Sequence, residues 1–241
     1  MSKQLQINLT YKCNLKCPYC IQFVDKIDWK QNTEISFEDI ELAKEIIAKS
    51  DAKFVTIRVS GGEPTQHPQY EECIARLWEL VDHSKFIVCT NVQETKSVPQ
   101  PVKYRKSPVG WKEPRHQPPM ISPADLGIPI NLRLPIDCII IHRCGNLFDT
   151  FGFAPCGNAA PIGRVLRIDP YDTKPVLHGN NPEMCKHCYS ILTKRQRVEL
   201  SKKIRAGEME YPTKTYREGL ERDRVEPFVF KTFQERLGEL K

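Results

Sequence analysis

Ten cysteines stand in this chain of 241 residues, and they are unevenly placed. Three fall within TYKCNLKCPYC, residues 10–20, as Cys13, Cys17 and Cys20 in a CxxxCxxC pattern. Four more, Cys144, Cys156, Cys185 and Cys188, form a second group that ends in a CxxC pair, while Cys73, Cys89 and Cys138 stand apart. Thiolates are soft ligands suited to zinc or to iron-sulfur clusters, and four of them close the shell of a structural site. Three leave a position open. On a cubane 4Fe-4S cluster, three thiolates hold three irons and the fourth iron can take another ligand.

Such chemistry requires a reducing compartment. No stretch approaches the roughly 18 apolar residues of a membrane span, and MSKQLQINLT is too polar and too short for a signal peptide. The expectation is a cytoplasmic protein with no membrane partner, in which cysteines serve metal, cluster or redox chemistry rather than a disulfide framework. The net charge of +6 divides unequally. Residues 1–96 carry 12 Lys and Arg against 14 Asp and Glu, whereas residues 97–241 carry 24 against 16. An anionic partner is therefore expected to meet the second half, with a solvated surface of mixed charge as the plainer alternative.

The elements that must position the first cysteines are legible in the periodicity. Leu5, Ile7 and Leu9 alternate with polar residues and predict a strand ending where the cysteines begin. Ser36, with Asp39 three residues on, predicts a helix N-cap, and Phe37, Ile40, Ala43 and Ile47 share its apolar face. FVTIRV, residues 54–59, predicts a second strand ended by Gly61 and Gly62. Tyr70, Ile74, Leu77 and Val81 recur at helical spacing, and FIVCT, residues 86–90, predicts a third strand. This βαβαβ order implies a parallel sheet with its site at the strands' C-terminal ends. Three segments sit at those ends: the cysteine loop, the GGEP turn of residues 61–64, and Thr90-Asn91.

The turn VSGGEP permits close backbone approach at its glycines and offers one carboxylate, Glu63, to a cationic group. Together with CxxxCxxC and its aromatic Tyr19, it resembles the signature of the radical S-adenosylmethionine superfamily over roughly residues 5–95. The resemblance implies that Cys13, Cys17 and Cys20 ligate a 4Fe-4S cluster whose open iron is chelated by the methionine amino and carboxylate groups of S-adenosylmethionine. It implies that Gly61, Gly62 and Glu63 contact the methionine ammonium, that Tyr19 sits by the adenine, and that Thr90 and Asn91 lie near the ribose. Val92 stands where the family often has glycine. In the family, one electron cleaves the sulfonium bond to give methionine and a 5'-deoxyadenosyl radical, which takes hydrogen from a substrate. The cofactor carries that chemistry, and the protein orients the substrate.

From Ser97 to Pro135 nine prolines interrupt the periodicity, and the expectation for residues 97–137 is a proline-rich basic linker or substrate segment. CIIIHRC, residues 138–144, predicts a strand, and GNLFDTFGFAPC a hairpin joining Cys144 to Cys156. CGNLFDTFGFAPCG and MCKHCYS resemble the twitch or SPASM extension of many radical enzymes, which implies an auxiliary 4Fe-4S cluster within residues 138–190. Cys138 is an alternative ligand. A structural zinc, with His187 as a possible member, is the competing reading. Residues 191–241 are expected as basic C-terminal helices: a basic helix over 190–206 and a last one using Phe230, Phe233, Leu237 and Leu240.

The fold expected is thus α/β, a shortened parallel partial (β/α) barrel of radical SAM type with a small cysteine-rich C-terminal extension. The function implied is reductive cleavage of S-adenosylmethionine and hydrogen abstraction, from a peptide or protein by preference, or from a nucleic acid or phosphorylated metabolite. An electron donor such as a flavodoxin or ferredoxin is the implied partner. A noncatalytic iron-sulfur or zinc protein is the reading from another class. Cys73 and Cys89 are expected as buried hydrophobes, and His67, His83, His116, His142 and His178 mostly as surface or packing residues.

Overall fold

In the first strand, β1 (Gln4–Thr10), the two faces have opposite chemistry. Leu5, Ile7 and Leu9 are fully buried on one side, while Gln6, Asn8 and Thr10, also buried, point to the other. A strand with one face apolar and one polar, both covered, must lie between two layers. The computed structural model describes residues 4–26, 33–80, 85–91, 98, 102–106, 118–129, 138, 140, 144–176 and 182–240, and it supplies both layers.

The sheet has six strands: β1, β2 (Thr56–Gly61), β3 (Phe86–Thr90), β4 (Lys103–Lys106), β5 (Asn146–Asp149) and β6 (Gly152–Ala154), in the order β4-β3-β2-β1-β5-β6. Strands β1 to β5 run parallel, and β6 returns antiparallel to β5 as the expected hairpin. On the apolar face, α1 (Phe37–Lys49) and α2 (Tyr70–Trp78) bring Ile40, Ala43, Cys73, Ile74 and Leu77 against Leu5, Ile7, Leu9, Val59 and Val88. Helix α1 begins as read: Ser36 Oγ accepts from the Asp39 amide at 3.0 Å and Asp39 returns the bond. Val81, expected on the face of α2, lies outside the described residues.

Three expectations change. Residues 97–137 are more than a linker, because KYRK forms β4, pairing with β3 from Ile87 to Thr90. A ladder is made of backbone bonds, and a charged strand is tolerated at an edge, where periodicity gives no signal. In the same segment Met120, Ile121 and Ser122 are buried, with Ser122 N bonded to Thr213 Oγ1 at 2.9 Å. CIIIHRC is no strand where it is described: Ile140 is helical, and the Cys144 amide donates to its carbonyl at 2.7 Å. β-Branched residues do not forbid a single helical turn. The hairpin, finally, is part of the core: Asn146, Leu147 and Phe148 pair with Leu5, Gln6 and Ile7.

The second layer is built from the C-terminal half. Helices α3 (Ala159–Leu166), α4 (Pro182–Lys186), α5 (Lys194–Arg205), α6 (Lys214–Val225) and α7 (Phe233–Gly238) follow the hairpin. Ala159, Ile162 and Val165 of α3 share a buried cluster with Leu147, Tyr11, Phe23, Met184 and Leu220. The basic helix is present as α5, capped reciprocally by Thr193 and Gln196. The last helix differs from expectation: Phe230 and Phe233 are buried, but Leu240 is 72% exposed. Gln234 instead ties α7 to the start of α1 through Asp39 Oδ1 at 3.2 Å.

A buried ion pair joins α3 to α6, with Arg164 Nε 3.1 Å from Asp223 Oδ1 and both side chains at most 4% exposed. Asp223 also accepts the Phe228 amide at 3.0 Å. Removing one member leaves the other charge buried and unpaired. Asp223→Ala should therefore cost about 3–5 kcal/mol in urea denaturation, far more than an exposed pair such as Lys49 with Glu45.

Candidate functional site

Two glycines bring the ends of β1 and β2 together. Gly61, at φ +131°, and Gly62 lie so close to the chain leaving β1 that a Cβ on either would overlap the carbonyl oxygens of Thr10 and Lys12. The Gly62 amide donates to Thr10 O and the Glu63 amide to Lys12 O, each at 2.8 Å. The GGE turn thus fixes the first residues of the cysteine loop by backbone contact, which only glycine allows at this separation.

Glu63 extends the connection to β3. Its side chain is 1% exposed, and its Oε1 accepts from Thr65 N, Thr65 Oγ1 and Thr90 Oγ1 at 3.2, 2.8 and 2.6 Å. Its Oε2 accepts from the Asn91 amide at 2.7 Å. Asn91 then reaches back to the cysteine loop, its Nδ2 lying 2.9 Å from Asn14 Oδ1 and 3.6 Å from Cys13 Sγ. The carboxylate expected to meet a ligand cation is thus first an anchor that holds three strand ends in register.

Between these elements opens a cavity of about 330 Å³. Every residue read from the first half lines it: Cys13, Cys17, Tyr19, Cys20, Gly61, Gly62, Glu63, Thr90 and Asn91. Burial raises the pKa of all three thiols, and at Cys13 and Cys17 the neighbouring thiolates raise it further. Three soft donors that destabilise one another's charge are stabilised together by a cation, so the set fits an iron cluster. Tyr19 packs edge-on against Tyr211, ring centroids 5.4 Å apart, so the C-terminal layer braces the loop.

Sequence reading missed the rest of the wall: Gln6, Gln22, Arg58, Ser60, Cys89 and Asn158. Gln6, Arg58, Ser60 and Cys89 stand on the polar face of the strands, and the alternation of β1 already carried that signal at Gln6. Cys89 is consequently no core hydrophobe; its sulfur accepts from Arg58 Nη1 at 3.6 Å. Cys73, by contrast, is fully buried as expected. His67 is a packing residue, with Nε2 2.9 Å from Ile35 O, while His83, His116, His142 and His178 lie outside the described residues.

The second cysteine group divides. Cys144 lines the cavity, whereas Cys156 and Cys188 lie in the C-terminal core. Burial first, and then the charge of neighbouring thiols including Cys138, raises the pKa of Cys156 and Cys188 and pushes Cys185 up to about 12. His187 is committed elsewhere, with Nδ1 2.9 Å from Ser122 Oγ and Nε2 3.6 Å from Glu183. Among the described residues no three His, Cys, Asp or Glu side chains converge on a point that one metal ion could occupy. No described helix is long and apolar enough to cross a membrane.

Behind the cavity a buried network ties both layers to the cysteine loop. Tyr11 and Tyr171 donate to Asp149 Oδ2 at 2.7 and 2.8 Å, and Asn8 Nδ2 donates to Tyr11 Oη at 3.2 Å. Asn8 Oδ1 in turn accepts from Gln6 and Ser60 of the wall.

Residues 7–97 match the family model described as Radical SAM superfamily. Over 79 residues the chain is 32% identical to a GTP 3',8-cyclase of Synechocystis sp., covering 32% of this chain and 23% of that one. Over 88 residues it is 32% identical to molybdenum cofactor biosynthesis protein 1 of Drosophila melanogaster, covering 36% and 15%. The chain spans about a quarter or less of the length of the curated relatives it matches. A solved structure of BtrN in complex with AdoMet and 2-DOIA shares 18% identity at a TM-score of 0.33 over 38% of this chain and 36% of that one, a likeness too slight to bear on the fold.

Two measurements follow from this geometry. Burial raises the Asp149 pKa to about 7, so between the ordinary carboxylate value near 4 and about 7 the folded chain binds a proton that the unfolded chain has lost. Stability from this group is full below about pH 4 and falls as pH rises towards 7. Asp149→Asn should flatten that descent in denaturation midpoints taken from pH 4 to 8. At Glu63, Gln substitution replaces an acceptor of four bonds with a group that also donates, releasing Thr90 or Asn91. S-adenosylmethionine binding by reconstituted protein should weaken about tenfold or more in equilibrium dialysis, the worth of one hydrogen bond to a charged group.

Proposed function

We propose that residues 7–97, which match the Radical SAM superfamily model, form a radical SAM domain, and that this chain is a radical SAM enzyme acting on a small, phosphate-bearing substrate. One observation carries the reading: Cys13, Cys17 and Cys20 share a single cavity wall with the Gly61-Gly62-Glu63 turn and Asn91. Cys13, Cys17 and Cys20 would hold the 4Fe-4S cluster, and the backbone of the turn, with Thr90 and Asn91, would receive S-adenosylmethionine. When bound, this pair supplies the one-electron cleavage that gives a carbon radical able to take hydrogen from a substrate. The protein's share is to fix the loop, through Glu63, and to close the cavity, through Tyr19 on Tyr211.

The substrate class rests on the remaining wall. Arg58 lines the cavity, where its Nη1 donates to Cys89 Sγ at 3.6 Å, and among the described residues no carboxylate pairs with it and its buried Nε has no hydrogen-bond acceptor. Buried Gln6 and Asn158 and half-buried Ser60 line the same cavity. A guanidinium in that setting favours a phosphate or carboxylate. The names of two relatives, GTP 3',8-cyclases, point to a nucleotide as those proteins' substrate, which supports a phosphorylated small molecule here over a peptide. The second cysteine group is read as an auxiliary 4Fe-4S site, with a one-electron donor protein as partner.

Anaerobically reconstituted protein with a strong reductant should convert S-adenosylmethionine into 5'-deoxyadenosine and methionine, and Cys17→Ala should abolish the conversion. Undiminished cleavage in that variant would falsify the ligand assignment, and no cleavage in the unaltered protein would favour a noncatalytic iron-sulfur module. Nucleoside phosphates and sugar phosphates should stimulate 5'-deoxyadenosine formation where peptides do not. Arg58→Gln should then raise the KM for the stimulating compound about tenfold or more while basal cleavage persists, as loss of a charge-assisted bond requires.

A further inference from the structure

The side-chain amide of Asn91 has two hydrogens to place, and both go to the cysteine loop. Its Nδ2 lies 2.9 Å from Asn14 Oδ1 and 3.6 Å from Cys13 Sγ. The backbone amide of Asn91 is held independently by Glu63 Oε2 at 2.7 Å, and the residue is buried. The donor therefore reaches the sulfur from a fixed base at the end of β3 and not from the loop itself.

The neighbouring groups fix which end of the amide faces the sulfur. An ionised thiolate only accepts and repels a carbonyl oxygen, so the NH2 end turns towards Cys13, and Asn14 Oδ1 takes the second hydrogen. The Leu15 amide reaches the same sulfur at 3.4 Å, so Cys13 is met once from its own loop and once from β3. Cys20 is met by the backbone amides of Gln22, Phe23 and Val24, which follow it in the chain. Among the described residues, Asn91 is the side chain from outside the loop that donates to one of the three thiols.

A hydrogen bond to a ligating sulfur draws negative charge away from an iron-sulfur cluster, and the reduced cluster, richer by one electron, gains more from it than the oxidised one. We propose that Asn91 is a positioning residue that raises the reduction potential of the cluster through Cys13 Sγ, bringing it within reach of a one-electron donor. The proposal rests on reading Cys13, Cys17 and Cys20 as cluster ligands, and it adds to that reading the side chain that tunes them. Asn91 Oδ1 takes part in neither contact, so it stays available to S-adenosylmethionine. Glu63, by holding the Asn91 amide, sets how closely this donor approaches the sulfur.

The test uses the full chain, reconstituted anaerobically without S-adenosylmethionine and titrated with dithionite against solution potential. The signal followed is the electron paramagnetic resonance of the reduced cluster that Cys17→Ala protein lacks. Asn91→Leu removes the donor at similar volume. At a given potential it should shift the ratio of oxidised to reduced cluster about tenfold towards oxidised, a midpoint lower by about 59 mV for a one-electron couple. Asn91→Asp keeps the shape but replaces the donor with an acceptor, and should lower the midpoint at least as far. Unaltered iron content with an unmoved midpoint in both variants would overturn the inference and leave the radical SAM reading standing. Unaltered protein that assembles no cluster on these cysteines would overturn both. Should neither variant fold or hold iron, unaltered protein carrying isotopic nitrogen in its asparagine side-chain amides reports the same contact. The reduced cluster should then show hyperfine coupling to that nitrogen, and absence of the coupling would refute the assignment.

Discussion

The constraint on which the site depends is the contact between the end of β2 and the start of the cysteine loop. Backbone hydrogen bonds join Gly62 to Thr10 and Glu63 to Lys12, at an approach where a Cβ on Gly61 or Gly62 would overlap the Thr10 and Lys12 carbonyl oxygens. The segment from Thr10 to Lys16 is held there and, further along, by Tyr11 on Asp149 and by Asn14 under Asn91, while Lys12, Asn14 and Lys16 are themselves exposed. Glu63 converts this two-strand contact into a three-strand one. Its buried carboxylate accepts from four donors, and those donors come from its own turn and from the end of β3.

That arrangement places a demand on the sheet. The strands are apolar towards α1 and α2 and carry Gln6, Arg58 and Ser60 towards the cavity, and such polar groups cannot be left bare of hydrogen-bond partners. Gln6, Asn8 and Ser60 bond one another, and Tyr11 carries the network on to Asp149 and Tyr171. The C-terminal half completes the cover. It contributes β5 to the sheet, Asn158 to the wall and Tyr211 to the loop, so the cavity belongs to both halves of the chain. Among the described residues the sheet's second face is covered by packing of the C-terminal helices.

The sequence by itself determined what depends on near neighbours. Alternation in β1, the Ser36 capping box, the strand FIVCT and the glycines after β2 all follow from side-chain periods of 2 and 3.6 and from local hydrogen bonds. The cysteine spacing and the GGE turn were legible for the same reason, as was the convergence of three loops, because parallel strands must place their C-terminal ends together. Tertiary structure decided what depends on distant partners. KYRK became a strand because β3 offered an open edge, and backbone ladders take little notice of side-chain identity. The turn at Ile140 displaced an expected strand because β5, six residues on, is the segment that meets β1. Spacing alone treats the cysteines of the second group as equivalents; only the folded path sends Cys144 to the cavity wall and Cys156 and Cys188 into the C-terminal core. Arg58 and Tyr211 carried no local signal at all, since an arginine in a strand and a tyrosine before a proline gain meaning only from what the fold sets opposite them.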